Sequence, residues 1–367
     1  MSARRLFCLL LTIGLLAACA PAAARLTSTE LNLYGFTDYV PADLLAGFEA
    51  ETGVKVTYDT YSTNEEMLAG LAANPGRYDV IIPSDYAVEI LINQDALQPL
   101  DLALIPNYNN VDPAFLTPYF DPGGATAGRR PAFRNAKYSL PYQWGTTGIA
   151  YDATQVSEPL TSWADLWRPE LAGHLVVLDD AREMMGLALQ VLGYDRNETN
   201  AARLAEAQTK LKELAPGVIA YDADAPEAYL LSGEAWAGVV YNGNAALATR
   251  QNPNIVYVFP AEGAGIWFDN LAIPAGAPHP DAAAAFINYV LAPENSALIT
   301  RDFPYSNPNA AALDFLQEND PDLYAAYTGS NASNPSPDAL AGARLVKDVG
   351  PATSALYEQL WAEITGN

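Results

Sequence analysis

The sequence predicts an α/β fold in two lobes, each built on a doubly wound mixed sheet. Three observations carry that expectation. Short β-rich segments alternate with amphipathic helical ones from residue 31 onward, residues 78–83 form an apolar run of the kind buried on both faces, and a second alternating series begins near Leu175.

In chain order, residues 31–35 alternate as a strand. Pro41 then opens a helix with Leu44, Leu45 and Phe48 on one face, and Gly53 stops it. Residues 54–58 are the next strand, residues 64–74 a helix with Met67, Leu68 and Leu71 inward, and 78–83 the third strand. This βαβαβ order argues for parallel strands with right-handed crossovers. Residues 138–152 are strand-like and lead to a helical stretch in which Trp163 and Trp167 pack a core. The second series has strands at 175–178, 218–221, 237–241 and 255–259, with helices at 181–192 and 201–214. An alternating strand at 266–274, an Ala-rich helix at 280–291 and a terminal helix at 352–364 complete the pattern. Residues 319–337, rich in Asn, Ser and Pro, read as a surface loop.

Arg4 and Arg5 precede an apolar run at residues 6–16 that ends in Leu16-Ala-Ala-Cys19. The run is shorter than the ~20 residues a membrane span requires and reads as a secretory leader. It resembles the lipobox of bacterial lipoproteins, which implies removal of residues 1–18, acylation of Cys19 and a lipid-anchored linker at 19–27. Cys8 leaves with the leader, so the mature chain cannot form an internal disulfide. The formal charge of −24 makes nucleic acid an unsuitable partner and favours small cations near the surface. Acidity alone also suits the solubility of an exported protein.

In open α/β sheets ligands bind beyond the carboxyl ends of strands, and four such ends are chemically alike. They are Phe36-Thr37-Asp38-Tyr39, Ser84-Asp85-Tyr86, Asp179-Asp180-Ala-Arg-Glu183 and Tyr241-Asn242-Gly243. Trp267 and Asp269 lie two apart on one strand and share a face, with Phe268 opposite. A ring beside a carboxylate suits a protonated amine. Its N–H donors need acceptors once out of water, while aromatic faces attract the charge and cover methylenes.

Several ordered motifs now combine: Glu51-Thr-Gly-Val-Lys-Val, Tyr78-Asp-Val-Ile-Ile-Pro-Ser, Leu140-Pro-Tyr-Gln-Trp-Gly, Ser162-Trp-Ala-Asp-Leu-Trp, Asp179-Asp-Ala-Arg-Glu183, Leu271-Ala-Ile-Pro and Asp348-Val-Gly. From Tyr34 to the last helix the chain resembles the spermidine/putrescine-binding proteins of ABC importers. The resemblance implies a periplasmic-binding-protein fold whose two lobes, residues 28–143 with 268–312 and 144–267 with 313–367, are joined by crossing strands and clamp a polyamine. It also implies ligand contacts at Phe36, Thr37, Asp38, Tyr39, Ser84, Tyr86, Asp180, Glu183, Tyr241, Trp267, Asp269 and Tyr305. Asp85 is a further acid beside them, and Trp267 and Asp269 are expected to face Phe36 to Tyr39 across the lobes. Phe36 and Tyr241 stand where spermidine-binding members carry tryptophan, and Val346 where they carry a glutamine that meets the ligand.

The implied activity is polyamine capture and delivery to an importer's permease subunits by a monomer, periplasmic or held at the outer face of the cytoplasmic membrane by its lipid. The nearest alternative is a binding protein of the same type for another small cationic amine. No cofactor and no metal is expected. Asp222-Ala-Asp224 resembles the start of a calcium loop but lacks its glycine, and His174 and His279 have no metal-ligand spacing. A secreted hydrolase would need a nucleophile with a base or a G-x-S-x-G turn, and neither is present in the sequence. Asp180 and Glu183 have the spacing of a capping box, an alternative to ligand contact. Asp269, within Ile-Trp-Phe-Asp-Asn-Leu-Ala-Ile, has few such innocent roles.

Overall fold

The structure, a computed structural model, describes residues 26–121 and 136–366. The leader, Cys19 and most of the linker lie outside the described residues. The strands are β1 (Glu30–Phe36), β2 (Lys55–Tyr61), β3 (Val80–Ile81), β4 (Ser139–Asp152), β5 (Leu175–Val177), β6 (Val218–Tyr221), β7 (Ala237–Tyr241), β8 (Ile255–Val258), β9 (Gly265–Ala272) and β10 (Arg344–Leu345). The helices used below are α1 (Ala42–Thr52), α2 (Asn64–Ala73), α3 (Asp85–Asn93), α4 (Ala181–Val191), α5 (Ala201–Leu214), α6 (Glu227–Ser232), α7 (Asn242–Gln251), α8 (Pro280–Val290), α9 (Pro293–Asp302), α10 (Ala310–Asn319), α11 (Pro321–Gly329), α12 (Pro337–Leu340) and α13 (Pro351–Thr365).

The strands form one continuous sheet in the order β2-β1-β3-β9-β4-β7-β5-β6, with β10 on β9 and β8 on β4. Parallel pairing holds within β2-β1-β3 and within β7-β5-β6. Between these halves run β9 and β4, antiparallel to each other and to their outer neighbours. The sheet is therefore mixed, and its two halves are merged rather than separate. At about 3.3 Å per residue, the 14 residues of β4 reach far beyond an ordinary strand. Its first part runs along β9, and Thr147–Asp152 along β7 and β8.

Each half has its own apolar core. Leu31, Leu33, Leu44, Phe48, Val80 and Phe286 pack against Leu140 and Tyr142 of β4. Trp163, Leu175, Val177, Met185, Leu204 and Trp361 pack against Ile149 and Tyr151 of the same strand. Trp163 and Trp167 lie in a short 3-10 turn, where their indole N–H groups donate to the carbonyls of Gly263 at 3.0 Å and Lys210 at 3.1 Å. Trp144 packs on Phe268 and Phe115. Gly53, at φ 76°, ends α1 in the left-handed conformation that glycine adopts freely.

Two expectations fail locally. Residues 319–337 are not a loop throughout, because α11 occupies nine of them. Pro321 starts that helix where no amide is needed, and Asp320 accepts from the Leu323 amide at 3.0 Å. Tyr327 is its buried anchor, and its hydroxyl accepts from the Asn307 amide at 2.7 Å. One anchoring ring leaves the rest polar, hence the loop-like composition. The strand expected at 78–83 is a two-residue ladder flanked by single bonds, and α3 follows it at once. Val88, Leu91 and Ile92 of α3 pack inward with Tyr34 and Tyr61.

The fully buried Asp79 ties three elements together. One oxygen accepts from the Asn32 amide at 2.7 Å, and the other from the His279 amide at the start of α8, at 2.6 Å. His174 instead stacks flat on Trp236 at 3.7 Å. Asp79→Ala leaves both amides without acceptors, at a cost of about 1–3 kcal/mol for each buried unsatisfied group. Chemical denaturation is expected to give a lower midpoint with an unchanged slope, and a midpoint equal to the parent's would contradict this.

Candidate functional site

A cleft opens at the carboxyl ends of β1, β3, β5 and β7, where the antiparallel β9 brings Trp267 and Asp269 from its middle. On its first wall Asp269 is 3% exposed. Its Oδ1 accepts from the Ser84 hydroxyl at 2.6 Å and its Oδ2 from the Tyr39 hydroxyl. Ser84 precedes α3, where its oxygen would ordinarily cap the helix. Instead the hydroxyl is engaged with Asp269 and accepts from Asn64 Nδ2 at 2.9 Å, and α3 has no side-chain cap. Burial pushes the Asp269 carboxyl up from 3.8 to about 7, against the two hydroxyl donors that lower it. Among the described residues no Lys or Arg forms an ion pair with it.

Aromatic rings surround this acid. Tyr39 meets Phe36, Tyr142 and Tyr305 edge to face at 5.4 to 5.5 Å. Trp267 meets Tyr241 at 5.8 Å and Tyr305 at 5.5 Å. Opposite Trp267 in the ladder stands Gly145, where a Cβ would come within 2.5 Å of the indole. The Tyr305 hydroxyl donates to Asn244 Oδ1 at 3.0 Å, and Tyr86 donates to Glu65 at 3.0 Å.

The second wall begins at Asp180, the N-cap of α4, which accepts from the Glu183 amide at 2.9 Å and the Tyr241 hydroxyl at 3.2 Å. Burial, then the Glu183 and Glu65 carboxylates, raise its pKa. The capping box is half made, because Glu183 does not return the bond and pairs with Arg196 at 2.8 Å. Arg182 also lines the cleft. It donates to the Lys347 carbonyl at 2.9 Å and lies over the rings of Tyr86 and Tyr357. At the mouth Asp38 is exposed, in a turn with φ 48°, beside Thr37. Ser62 donates across to Asp224 at 3.1 Å. Asp222 folds back on the amides of Asp224 and Ala225, and among the described residues no group of acids, His or Cys is arranged to hold a metal.

Twelve of the residues singled out from the sequence line this one cleft. Asp85 does not: it is fully buried, with Oδ1 on the Tyr86 amide, and burial raises its pKa strongly. Tyr39 and Asp269, expected to face each other across the lobes, are instead hydrogen-bonded on the same wall. The sequence reading missed Ser62, Asn64, Ala223 and Asp224. They follow β2 and β6, so the strand-end rule that found the others, applied there, would have found them. Arg182 and Val346 complete the lining.

The chain is 36% identical over 360 residues to the spermidine/putrescine-binding periplasmic protein of Escherichia coli, covering 97% of each. It is 31% identical over 371 residues to the putrescine/cadaverine-binding protein of Pseudomonas aeruginosa, covering 97% of this chain and 98% of that one. A putative spermidine/putrescine ABC transporter structure from Listeria monocytogenes superposes with a TM-score of 0.84 at 33% identity, covering 92% of this chain and 99% of that one. Residues 43–329 match the model of the bacterial extracellular solute-binding proteins, and the chain belongs to that family.

Proposed function

We propose that this protein captures a polyamine of the spermidine/putrescine class outside the cytoplasmic membrane and delivers it to the permease subunits of an ABC importer. The observation that carries this reading is Asp269, a buried carboxylate held by two hydroxyls and ringed by aromatics, with no ion pair of its own among the described residues. An ammonium group supplies the missing charge and N–H donors, and its methylene chain lies against the rings. The names of the relatives, which bind spermidine, putrescine or cadaverine, support the same class.

The thirteen residues of the sequence reading, less Asp85 and with Glu183 lining the site through its pair with Arg196, are the proposed binding set, and closure of the lobes around the ligand is the proposed output. The protein acts as a monomer without chemistry of its own, anchored through acylated Cys19. The proposed lobes follow the expected boundaries, except that the packing of α10 against α9 supports assigning residues 313–329 to the first lobe. Isothermal titration with putrescine, spermidine and simple amino acids tests the ligand class, and silence for both polyamines would sink it.

Asp269→Asn is expected to weaken polyamine binding by at least tenfold, since a hydrogen bond to a charged group is worth ~1.5–3 kcal/mol. Near-normal affinity would mean that the anchor lies elsewhere.

Binding is also expected to depend on pH. Without ligand Asp269 titrates at about 7, and a bound ammonium favours its charged form, so binding releases a proton and affinity falls as pH drops from 8 to 6. For the ligand-free fold the sign is opposite. A carboxyl raised from 3.8 to about 7 contributes stability that is full below 3.8 and lost as pH rises through 7. The thermal shift given by polyamine should therefore grow between pH 6 and 8, and a flat profile would contradict the role of Asp269.

A further inference from the structure

Glu183 lines the cleft, yet its charge is already answered. Its Oε2 lies 2.8 Å from Arg196 Nη2, and both side chains are buried. The guanidinium of Arg196 passes between two glycines. A Cβ on Gly186 would stand 3.1 Å from its Nε, and one on Gly265 would stand 2.6 Å from Nη1 and 3.0 Å from Glu183 Oε2. This slot is open to the ion pair because neither flanking residue carries a side chain. Asp180 and Asp269 differ: tyrosine and serine hydroxyls hold them, and neither forms an ion pair among the described residues.

We infer that Arg196 determines specificity: by neutralising Glu183 it leaves the enclosed part of the cleft with two unanswered carboxylates and fits it to a diamine rather than a triamine. The inference rests on the polyamine reading given above. A third ammonium leaving water needs an acceptor of opposite charge. Val346, buried on the cleft wall, offers none, and Arg182 adds a second positive charge. Asp38 and Asp224 remain, but at the mouth, where water screens them.

The test is isothermal titration of putrescine and spermidine, at pH 8 and one ionic strength, against the parent protein, R196Q and the double variant E183Q/R196Q. The parent is expected to prefer putrescine, and R196Q, which frees Glu183, to move the affinity ratio towards spermidine by about tenfold or more. The double variant exchanges the ion pair for two neutral amides, so its ratio should stay within roughly threefold of the parent's. A parent that prefers spermidine, an unmoved ratio in R196Q, or a double variant shifted towards spermidine would each overturn the inference while leaving polyamine binding intact. Binding of neither amine by the parent would remove the polyamine reading itself and this inference with it. Should R196Q fail to fold, a parent that prefers spermidine or a double variant shifted towards it still overturns the inference.

Discussion

The structure depends on a carboxylate buried without a cation partner among the described residues. Desolvating Asp269 is unfavourable, and the chain offsets that with two O–H donors rather than with an arginine. Those donors come from residues 185 and 230 positions away, so the site exists only when β9 is inserted antiparallel between β3 and β4. The fold accepts a local loss to keep it. Ser84 holds Asp269 instead of capping α3, a forgone contribution of about 1 kcal/mol.

The two walls answer the same electrostatic problem differently. On the first, hydroxyls lower the energy of the charged acid without cancelling its charge, so it stays available to a cation. On the second, Arg196 cancels Glu183 outright, while Asp180 is stabilised by an amide and a phenol. Cleft acidity is thus a matter of which carboxylates are unanswered. The formal charge of −24 says little about it, since surface acids are screened within about 8 Å.

Much of the fold was legible in the sequence because its signals are periodic. The apolar stripe of α5 and the alternation in β9 follow from the 3.6- and 2-residue repeats, and the helix at Ala201–Leu214 stands where expected. The site was legible at a strand end, as at Phe36 to Tyr39, and in the alternation that puts Trp267 and Asp269 on one face of β9. What escaped depends on partners distant in sequence. No element was expected at residues 85–93, where α3 forms with Val88, Leu91 and Ile92 packed against Tyr34 and Tyr61. Asp85 sits beside the right strand end, but which way its carboxylate turns is settled by the helix it begins. The Glu183–Arg196 pair joins α4 to a loop 13 residues on, with no motif to mark it.

The strand that anchors the proposed ligand also holds the two halves together. On one face β9 carries Trp267 and Asp269. On the other, Phe268 packs on Trp144 of β4 at 6.0 Å. Because side chains alternate strictly along a strand, these two roles cannot drift into different registers. A one-residue slip would turn Asp269 away from Ser84 and Tyr39 and put the Phe268 ring into the cleft. The bulge in β4 between Pro141 and Gln143 adjusts the pairing just before this point, so that Trp144 stands opposite Phe268 and Gly145 opposite Trp267. Register, the packing of Phe268 on Trp144 and the buried acid are therefore one constraint, which is why the site lies where the two halves of the sheet meet.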